Sequence, residues 1–532
     1  MKRFNLIFFL LASVFSITLL ASKDCCRTEC TPQNSCDCEI TSRSFLAVRP
    51  NFQSESPEMI SGFRSHRLHE GERHAAVEAV LFGSHSTDEE NLARYFFPSC
   101  KTELIVDERI SLDSPPQPQD LLAAHFNIFT LNGTFRSKIS IRPQTSAIGA
   151  GFYARKAFCM NEEKGRGFFT SISFPIVRVK NDLQLQEDII NDGGGVNLNA
   201  DIDNVAANMT EALNQGQWQF GKISNFAMKK TGVGDIEWKL GYEWIQQEPF
   251  HLESYLGILV PTGNKFDGEY LFQPIVGHGR HWGIMVGNAI GVQVWQDEMN
   301  DRSLRVEYAS NTRYLFRNTQ CRSIDLFCKP WSRYIEVYQS QDQAMVAESL
   351  PDSTQGQNFA TPGINVLTIP VKVRPGFAYN MTTAAVFDSK NWKLEGGYNL
   401  YARQSECLKL ACPWQEGPAI KHHLGDGSTN PVRDITGNYR LENITVNGTP
   451  GQGNRLDLGD YKLNLIKESD LDLNSAASPC IISHTIYAAL GYTMKDRDKP
   501  IFGNIGGSYE FSNSNNAVVE RWTIWGKIGL SF

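Results

Sequence analysis

Apolar and polar residues alternate along much of this chain. In residues 235–244 each apolar or aromatic position is preceded by a charged residue or a glycine. Because a strand turns successive side chains to opposite faces, this pattern predicts a strand with one wholly apolar face. The pattern recurs at 392–400, 135–142 and 367–374, and again in the last residues of the chain.

The polar faces of these segments carry ionised groups in strand after strand, and Trp and Tyr occur near strand ends. Segments of about 9–11 residues match a tilted strand that crosses a bilayer. We therefore predict an all-β protein, a closed antiparallel transmembrane barrel of about 16 strands (14–18), with long loops on one side. A soluble β-sandwich, with its apolar faces turned to an inner core, is the alternative.

The barrel hypothesis assigns a side to each residue of the alternating segments. A charged side chain on the lipid face near the bilayer midplane costs about 2–4 kcal/mol, so the charged positions are predicted to face the lumen. The lumen-facing candidates are Arg136, Lys138, Arg142, Asp235, Glu237, Lys239, Glu243, Lys372, Arg374, Lys393, Glu395, Arg521 and Lys527. The lipid-facing candidates are Ile236, Trp238, Leu240, Tyr242, Trp244, Trp392, Leu394, Tyr398, Leu400, Trp522, Ile524, Ile528, Leu530 and Phe532.

The N-terminus has the pattern of an export signal. Lys2 and Arg3 precede an uncharged apolar stretch, Leu6 to Leu20, and the small residues Ala21 and Ser22 follow. We predict a cleaved signal peptide at 1–22, a Cys-rich periplasmic lead-in at 23–43 and the barrel at 44–532. The pattern is least regular between 44 and 120.

The 12 cysteines are many for a reducing compartment. Cys321 and Cys328 bracket one short segment, and Cys407 and Cys412 bracket another, so each pair is a disulfide candidate in an exposed loop. Five more cysteines lie between Cys25 and Cys38, and their pairing stays open. The formal net charge of −7 argues against a nucleic-acid partner, because phosphate binding needs clustered cations.

The final strand is the sharpest motif of the sequence. Positions 521–532 alternate strictly, and the chain ends on Phe532. This resembles the terminal signal of bacterial outer-membrane barrels, and Thr231–Glu237 and Gly257–Gly263 resemble stretches of porin-like and fatty-acid-transporter-like barrels. The resemblance implies an outer-membrane location, and it implies the bilayer and the barrel assembly machinery as partners.

No motif in the sequence favours an enzyme. The chain has no G-x-S-x-G, and the H-x-x-H spacing of His278 and His281 fits polar turn residues better than a helical metal pair. We therefore expect no catalytic residue, cofactor or metal. The predicted function is a porin-like channel for passive diffusion of small solutes, with no inferred ion selectivity. A structural envelope barrel, cross-linked through its N-terminal cysteines, is the alternative.

Overall fold

The computed structural model describes residues 42–62, 75–108, 120–161, 165–197, 205–247, 249–327, 329–340, 342–343, 360–420, 465–494, 499–512 and 517–532. None of the described helices is long and apolar enough to cross a membrane. The predicted signal peptide, the lead-in up to residue 41 and Cys328 lie outside these residues.

The described residues form strands of very different lengths. In chain order they are β1 (Ala75–Ser86), β2 (Glu103–Asp107), β3 (Leu121–Leu122), β4 (Arg136–Ser140), β5 (Gln144–Asn161), β6 (Arg166–Asp182), β7 (Gln186–Asn191), β8 (Met228–Val233), β9 (Ile236–Gln247), β10 (Phe250–Val260), β11 (Gly283–Asp297), β12 (Arg302–Leu315), β13 (Asn318–Ser323), β14 (Asp325–Leu326), β15 (Glu336–Tyr338), β16 (Ala360–Pro362), β17 (Thr368–Arg374), β18 (Gly376–Ser389), β19 (Trp392–Arg403), β20 (Cys407–Leu410), β21 (Ala419–Ile420), β22 (Leu471–Asp472), β23 (Ile481–Met494), β24 (Ile501–Phe511) and β25 (Arg521–Ser531). Four short α-helices accompany them: α1 (Pro57–Ile60), α2 (Glu89–Phe96), α3 (Met209–Ala212) and α4 (Gly363–Leu367).

Twelve of the longer strands close into one antiparallel barrel. The ring runs β1-β25-β24-β23-β19-β18-β12-β11-β10-β9-β6-β5 and closes through the pairing of β5 with β1. The first and last strands are neighbours, with Ala76 opposite Ser531. Closure confirms the resemblance to outer-membrane β-barrels and rules out the sandwich, but the predicted count of about 16 strands is wrong.

β8 pairs with the same edge of β6 as β9 does. Ile176 lies opposite Val233, whereas Ser173 lies opposite Glu237, so the two registers differ by one residue. Gly234 and Asp235 absorb that residue as a bulge, and Gly234 N donates to Pro175 O at 2.7 Å. β8 therefore continues the line of β9 toward one end of the barrel.

The two ends of the barrel differ in loop length. Short turns join β5 to β6, β9 to β10, β11 to β12, β18 to β19 and β23 to β24 at one end, which we call the turn end. At the other end the connections are long, as predicted. Their described residues, within 87–143, 183–227, 261–282, 316–375, 404–480 and 512–520, pack around one apolar core that includes Phe96, Phe126, Trp218, Trp331 and Tyr334. We call this structure the loop domain.

Five of the predicted lumen residues lie outside the barrel wall. Arg136 and Lys138 are on β4, which pairs with β2 and β7 in the loop domain, and Arg142 is an exposed residue just beyond β4. Lys372 and Arg374 are on β17, which pairs with β13 and β20. Alternation shows only that one face of a strand is buried, and here it is buried against the loop-domain core. The same strands inflated the predicted strand count.

The barrel strands themselves turn apolar side chains outward. Trp238, Trp392, Leu394, Ile524 and Ile528 are each at least 44% exposed. Along β25 and the residue after it the outward residues run from Trp522 to Phe532, and ten residues at about 3.3 Å each, tilted by about 40°, span about 25 Å. That height matches the apolar band of a membrane barrel.

Candidate functional site: the occupied lumen

The barrel lumen contains a segment of the chain's own N-terminal part. Residues 42–48 lie in the loop domain, where Ser42 Oγ donates to Asp325 at 2.9 Å and Tyr95 OH donates to Phe45 O at 2.6 Å. Residues 49–62, which we call the lumen segment, then run inside the barrel toward the turn end. β1 starts at that end, since Ala75 N donates to Phe532 O at 2.9 Å.

A buried charge cluster holds the start of the lumen segment. Arg49 Nη1 lies 3.0 Å from Glu510 Oε1, and its Nη2 donates to Asn399 Oδ1 at 2.9 Å. Arg521 pairs with the other oxygen of Glu510 at 2.9 Å and donates to Arg49 O at 3.0 Å. Each of these charged side chains is more than nine-tenths buried. Because a buried ion costs several kcal/mol unless it is paired, this cluster strongly favours one position for Arg49.

The middle of the lumen segment binds a second network. Ser54 bonds to Glu237 through both its amide and its hydroxyl, and Glu237 pairs with Arg313. Arg313 Nη1 also donates to Gln53 Oε1 at 2.8 Å and lies 3.0 Å from His278 Nε2. Charge-assisted bonds of this kind are about twice as strong as neutral ones.

The wall also binds the backbone of the lumen segment directly. Asn380 Nδ2 donates to Ser54 O at 2.7 Å, and Thr382 Oγ1 donates to Glu55 O at 2.6 Å. Tyr255 OH donates to Glu55 Oε1 at 3.0 Å. The first two contacts bond carbonyl oxygens that would otherwise be buried without a partner, and the third bonds the Glu55 carboxylate.

The last residues of the lumen segment bind the barrel wall nearer the turn end. Lys527 Nζ donates to Met59 O at 2.5 Å and to Ser61 O at 2.7 Å, and Asn504 Nδ2 donates to Ser61 O at 2.9 Å. Gly62 N donates to Glu395 Oε2 at 2.8 Å. Gly62 has φ +70°, a conformation that favours glycine.

An apolar contact complements the polar ones. Phe52 stacks on Phe82 of β1 with parallel rings whose centroids are 6.2 Å apart. Gly151 of β5 also lies against Phe52, and a Cβ added there would be 2.4 Å from the Phe52 ring. The absence of a side chain at Gly151 therefore makes room for Phe52.

The lumen segment leaves little open space. A cavity of about 110 Å³ lies beside residues 45–53 at the loop-domain end, lined by groups that include Val177, His278 and Arg322. A second cavity of about 70 Å³ lies nearer the turn end, between Glu55, Arg155 and Lys239. Ser54 is wholly buried, and Gln53, Glu55 and Glu58 are almost so.

The remaining eight lumen-facing candidates are all buried on the barrel wall. Glu237, Glu395, Arg521 and Lys527 bond to the lumen segment directly. The other four bind elsewhere: Asp235 bonds to His278, Lys239 lies over the Tyr255 ring, Glu243 pairs with Arg155, and Lys393 pairs with Asp388.

The lipid-facing candidates lie on the opposite face of the same strands. Eight of them are exposed, namely Trp238, Leu240, Trp244, Trp392, Leu394, Trp522, Ile524 and Ile528, and Phe532 is also exposed at the end of the chain. The partly covered ones are Ile236, Tyr242, Tyr398, Leu400 and Leu530.

Sequence reasoning missed the lumen segment altogether. Residues 49–62 show no alternation and contain Pro50 and Pro57, and the bonds of Arg49 to Glu510 and of Lys527 to Met59 each join residues more than 450 positions apart. A weak signal existed, because Arg49, Glu55 and Glu58 are charged residues in a short segment ahead of the first barrel strand.

In the loop domain, a cation over an aromatic ring helps to hold residues 42–48, which lie just upstream of the lumen segment. The Arg322 guanidinium lies 3.1 Å from the Phe45 ring centroid and pairs with Glu406 at 3.4 Å. Burial lowers the pKa of Arg322, and Glu406 partly offsets this. Burial likewise raises the pKa of Tyr95, whose hydroxyl binds Phe45 O, to about 12.

The cysteine predictions need a correction. No disulfide joins Cys407 to Cys412, and Cys321 also carries a thiol. Cys407 is the first residue of β20 and is paired into a sheet, so it does not close a small exposed loop. Among the described residues, no group of three or more His, Cys, Asp or Glu could hold a metal ion.

No family model matches this chain, and no curated protein matches it. Similar solved structures include the COG4313 outer membrane channel from Pseudomonas putida F1, at 9% identity and TM-score 0.35, covering 87% of this chain and 97% of that one. The transport unit of the autotransporter AIDA-I from Escherichia coli has 8% identity and TM-score 0.31, with 87% and 92% covered. A Pseudomonas aeruginosa FadL homologue has 8% identity and TM-score 0.27, with 92% and 97% covered. At these values none of them determines what this barrel does.

Proposed function

We propose that the protein is an outer-membrane channel for small solutes, that its lumen is closed by its own segment 49–62, and that it opens when this segment is displaced. The observation that carries the proposal is the bonding of the lumen segment to eight of the twelve barrel strands. The wall residues are Ser84 on β1, Glu237 on β9, Tyr255 on β10, Arg313 on β12, Asn380 and Thr382 on β18, Glu395 and Asn399 on β19, Asn504 and Glu510 on β24, and Arg521 and Lys527 on β25.

The chemistry of the lumen suits passage of hydrated solutes. Once the lumen segment is displaced, the exposed wall presents carboxylates, guanidinium groups, amides and hydroxyls. A charged group in a wet lumen costs little, and such a wall replaces part of the hydration of a polar solute. Solutes would then diffuse down their gradient with no chemical step, in an opening controlled by the segment.

A disulfide lock tests whether the segment must move. A Cβ built at Gly62 lies 3.8 Å from Asn504 Cβ, which is the usual separation in a disulfide. The variant G62C/N504C, reconstituted in planar bilayers and oxidised, is expected to give no current. Adding a reductant is expected to restore the currents of the unmodified protein.

The single variants G62C and N504C, treated with the same oxidant, are the matched controls, because the chain has other cysteines. Currents that persist through the oxidised double variant would refute movement of the lumen segment as the opening step. A folded protein that never conducts, even when the contacts of Arg49 are removed, would refute the channel itself.

A further inference from the structure

The outer face of the barrel carries a band of aromatic rings near the loop-domain end. On the strands it is formed by Tyr314, Tyr398, His484, Tyr509 and Trp522, and Phe316 follows directly after β12. Such residues mark the membrane–water interface, because their apolar rings and polar atoms suit the level of the lipid headgroups. On β6 and β8 the same level is occupied by cations instead.

Three cations share the outward face there. On β6 the outward residues Ile172 and Ile176 are followed by Arg178 and Lys180, all of them exposed. On β8 Lys229 lies directly opposite Lys180 and is exposed too.

This arrangement is unfavourable by itself. Like charges directly opposite on one face of a sheet repel each other, and Arg178 lies two residues from Lys180 on that face. Lys180 Nζ is 3.8 Å from Asp182, which is a long contact. Neither Arg178 nor Lys229 forms a salt bridge with another described residue. A ligand with two or more negative charges would offset the repulsion.

We propose that Arg178, Lys180 and Lys229 bind the phosphate groups of a phosphorylated lipid in the leaflet at the loop-domain end. A lipid suits this place because an apolar strip continues directly below the cations. Ile176 is 45% exposed, and Ile148, opposite Arg178 on β5, is 66% exposed. The acyl chains would lie on the isoleucines while the phosphates reach the cations, with the guanidinium bonding two phosphate oxygens.

The test compares two triple variants in nanodiscs. R178Q/K180Q/K229Q removes the proposed site, and K156Q/R166Q/R302Q removes three exposed cations near the turn end. The nanodiscs contain phosphatidylcholine with a small fraction of either lipid A or dephosphorylated lipid A, and native mass spectrometry counts retained lipid. Inorganic phosphate, added to the protein in nanodiscs of phosphatidylcholine alone, is a third arm.

An exposed cation beside an anionic lipid surface contributes about fivefold in affinity, so the loss of three is expected to weaken binding on the order of 100-fold. The turn-end variant should bind lipid A as the unmodified protein does, and dephosphorylated lipid should be lost readily from both. Equal retention by the two triple variants would overturn the site. Retention that does not depend on the lipid's phosphates would overturn the chemistry, and tight binding of free phosphate would overturn the lipid as its source.

Discussion

Replacing Arg49 by Gln should shift the channel toward its open form. Arg49 bonds to Glu510, Asn399 and Asn380 in the closed lumen, and Gln is too short to keep all three contacts. Glu510 would keep Arg521 at 2.9 Å and Ser483 at 2.6 Å, so its carboxylate would not be left without a partner.

The size of the shift in the open-to-closed equilibrium depends on the partners that Glu510 keeps after Arg49 is replaced. Removing one partner of a buried ion pair costs about 3–5 kcal/mol when the other charge is stranded, and a hydrogen bond to a charged group contributes about 1.5–3 kcal/mol. Because Glu510 remains paired, we expect a loss of about 2–3 kcal/mol in the closed form. Arg49 is hydrated in the open form, so this loss converts to an increase of about 30- to 150-fold in the open-to-closed ratio.

Single-channel recording measures that ratio directly. The matched control is R305Q, which removes an arginine that pairs with Asp388 at the turn end at 2.9 Å and does not bond to the described residues of the lumen segment. R49Q should increase open time while R305Q leaves it unchanged. If R49Q behaves as R305Q does, the charge cluster at Arg49 does not hold the lumen closed.

Three further predictions test separate parts of the structure. Gly151→Ala should increase open time, because its Cβ would lie 2.4 Å from the Phe52 ring. Gly83→Ala is the control and should not, because a Cβ there has no atom within 4 Å. If the G151A channel stays closed, the Phe52 ring can shift at no cost in free energy. Leu394→Lys puts a charge on a side chain that is 58% exposed on the outer face, so it should reduce the free energy of unfolding from bilayers by about 2–4 kcal/mol in urea titrations, and no loss would place Leu394 outside the lipid. Burial lowers the pKa of His281 from the usual 6.5, so as pH falls the unfolded chain takes up a proton that the folded chain does not. The melting temperature should therefore decrease below about pH 6.5, and it should decrease less in H281Q. If the melting temperature falls equally steeply with pH in both proteins, His281 is not the cause.

The strands and their facing could be predicted from the sequence because they depend on short-range alternation. On β9 and β25 the pattern identified both faces, and the charged residues Glu237 and Lys527 are buried while Trp238 and Ile528 are exposed. The pattern could not say which sheet a strand joins. β4 alternates as the barrel strands do, yet it buries Ile139 against the loop-domain core.

The occupant of the lumen could not be predicted for a different reason. The bonds that hold it join residues far apart in the chain, such as Arg49 with Glu510 and Ser54 with Glu237. A segment held mainly by such polar contacts has no periodic apolar face, and periodicity is the main signal that a single sequence offers. The overestimated strand count also hid the segment, because a barrel of about 16 strands is expected to enclose a water-filled channel.

Twelve strands help to explain why one chain segment suffices to close the lumen. About eight strands enclose just enough space for side chains, and sixteen or more leave an aqueous channel. Between these sizes, inward side chains such as Arg313, Tyr255 and Trp525 narrow the space until a single irregular segment fills much of the rest. The manner of filling matters for opening: the wall donates hydrogen bonds to carbonyl oxygens such as Ser54 O and Ser61 O, and water can replace each donor when the segment leaves. Each neutral exchange costs only about 0.5–1.5 kcal/mol net, and each exchange of a bond to a charged group about 1.5–3 kcal/mol, so a closure made of polar bonds can be reversed without unfolding the loop domain, whose apolar core gains no comparable substitute from water.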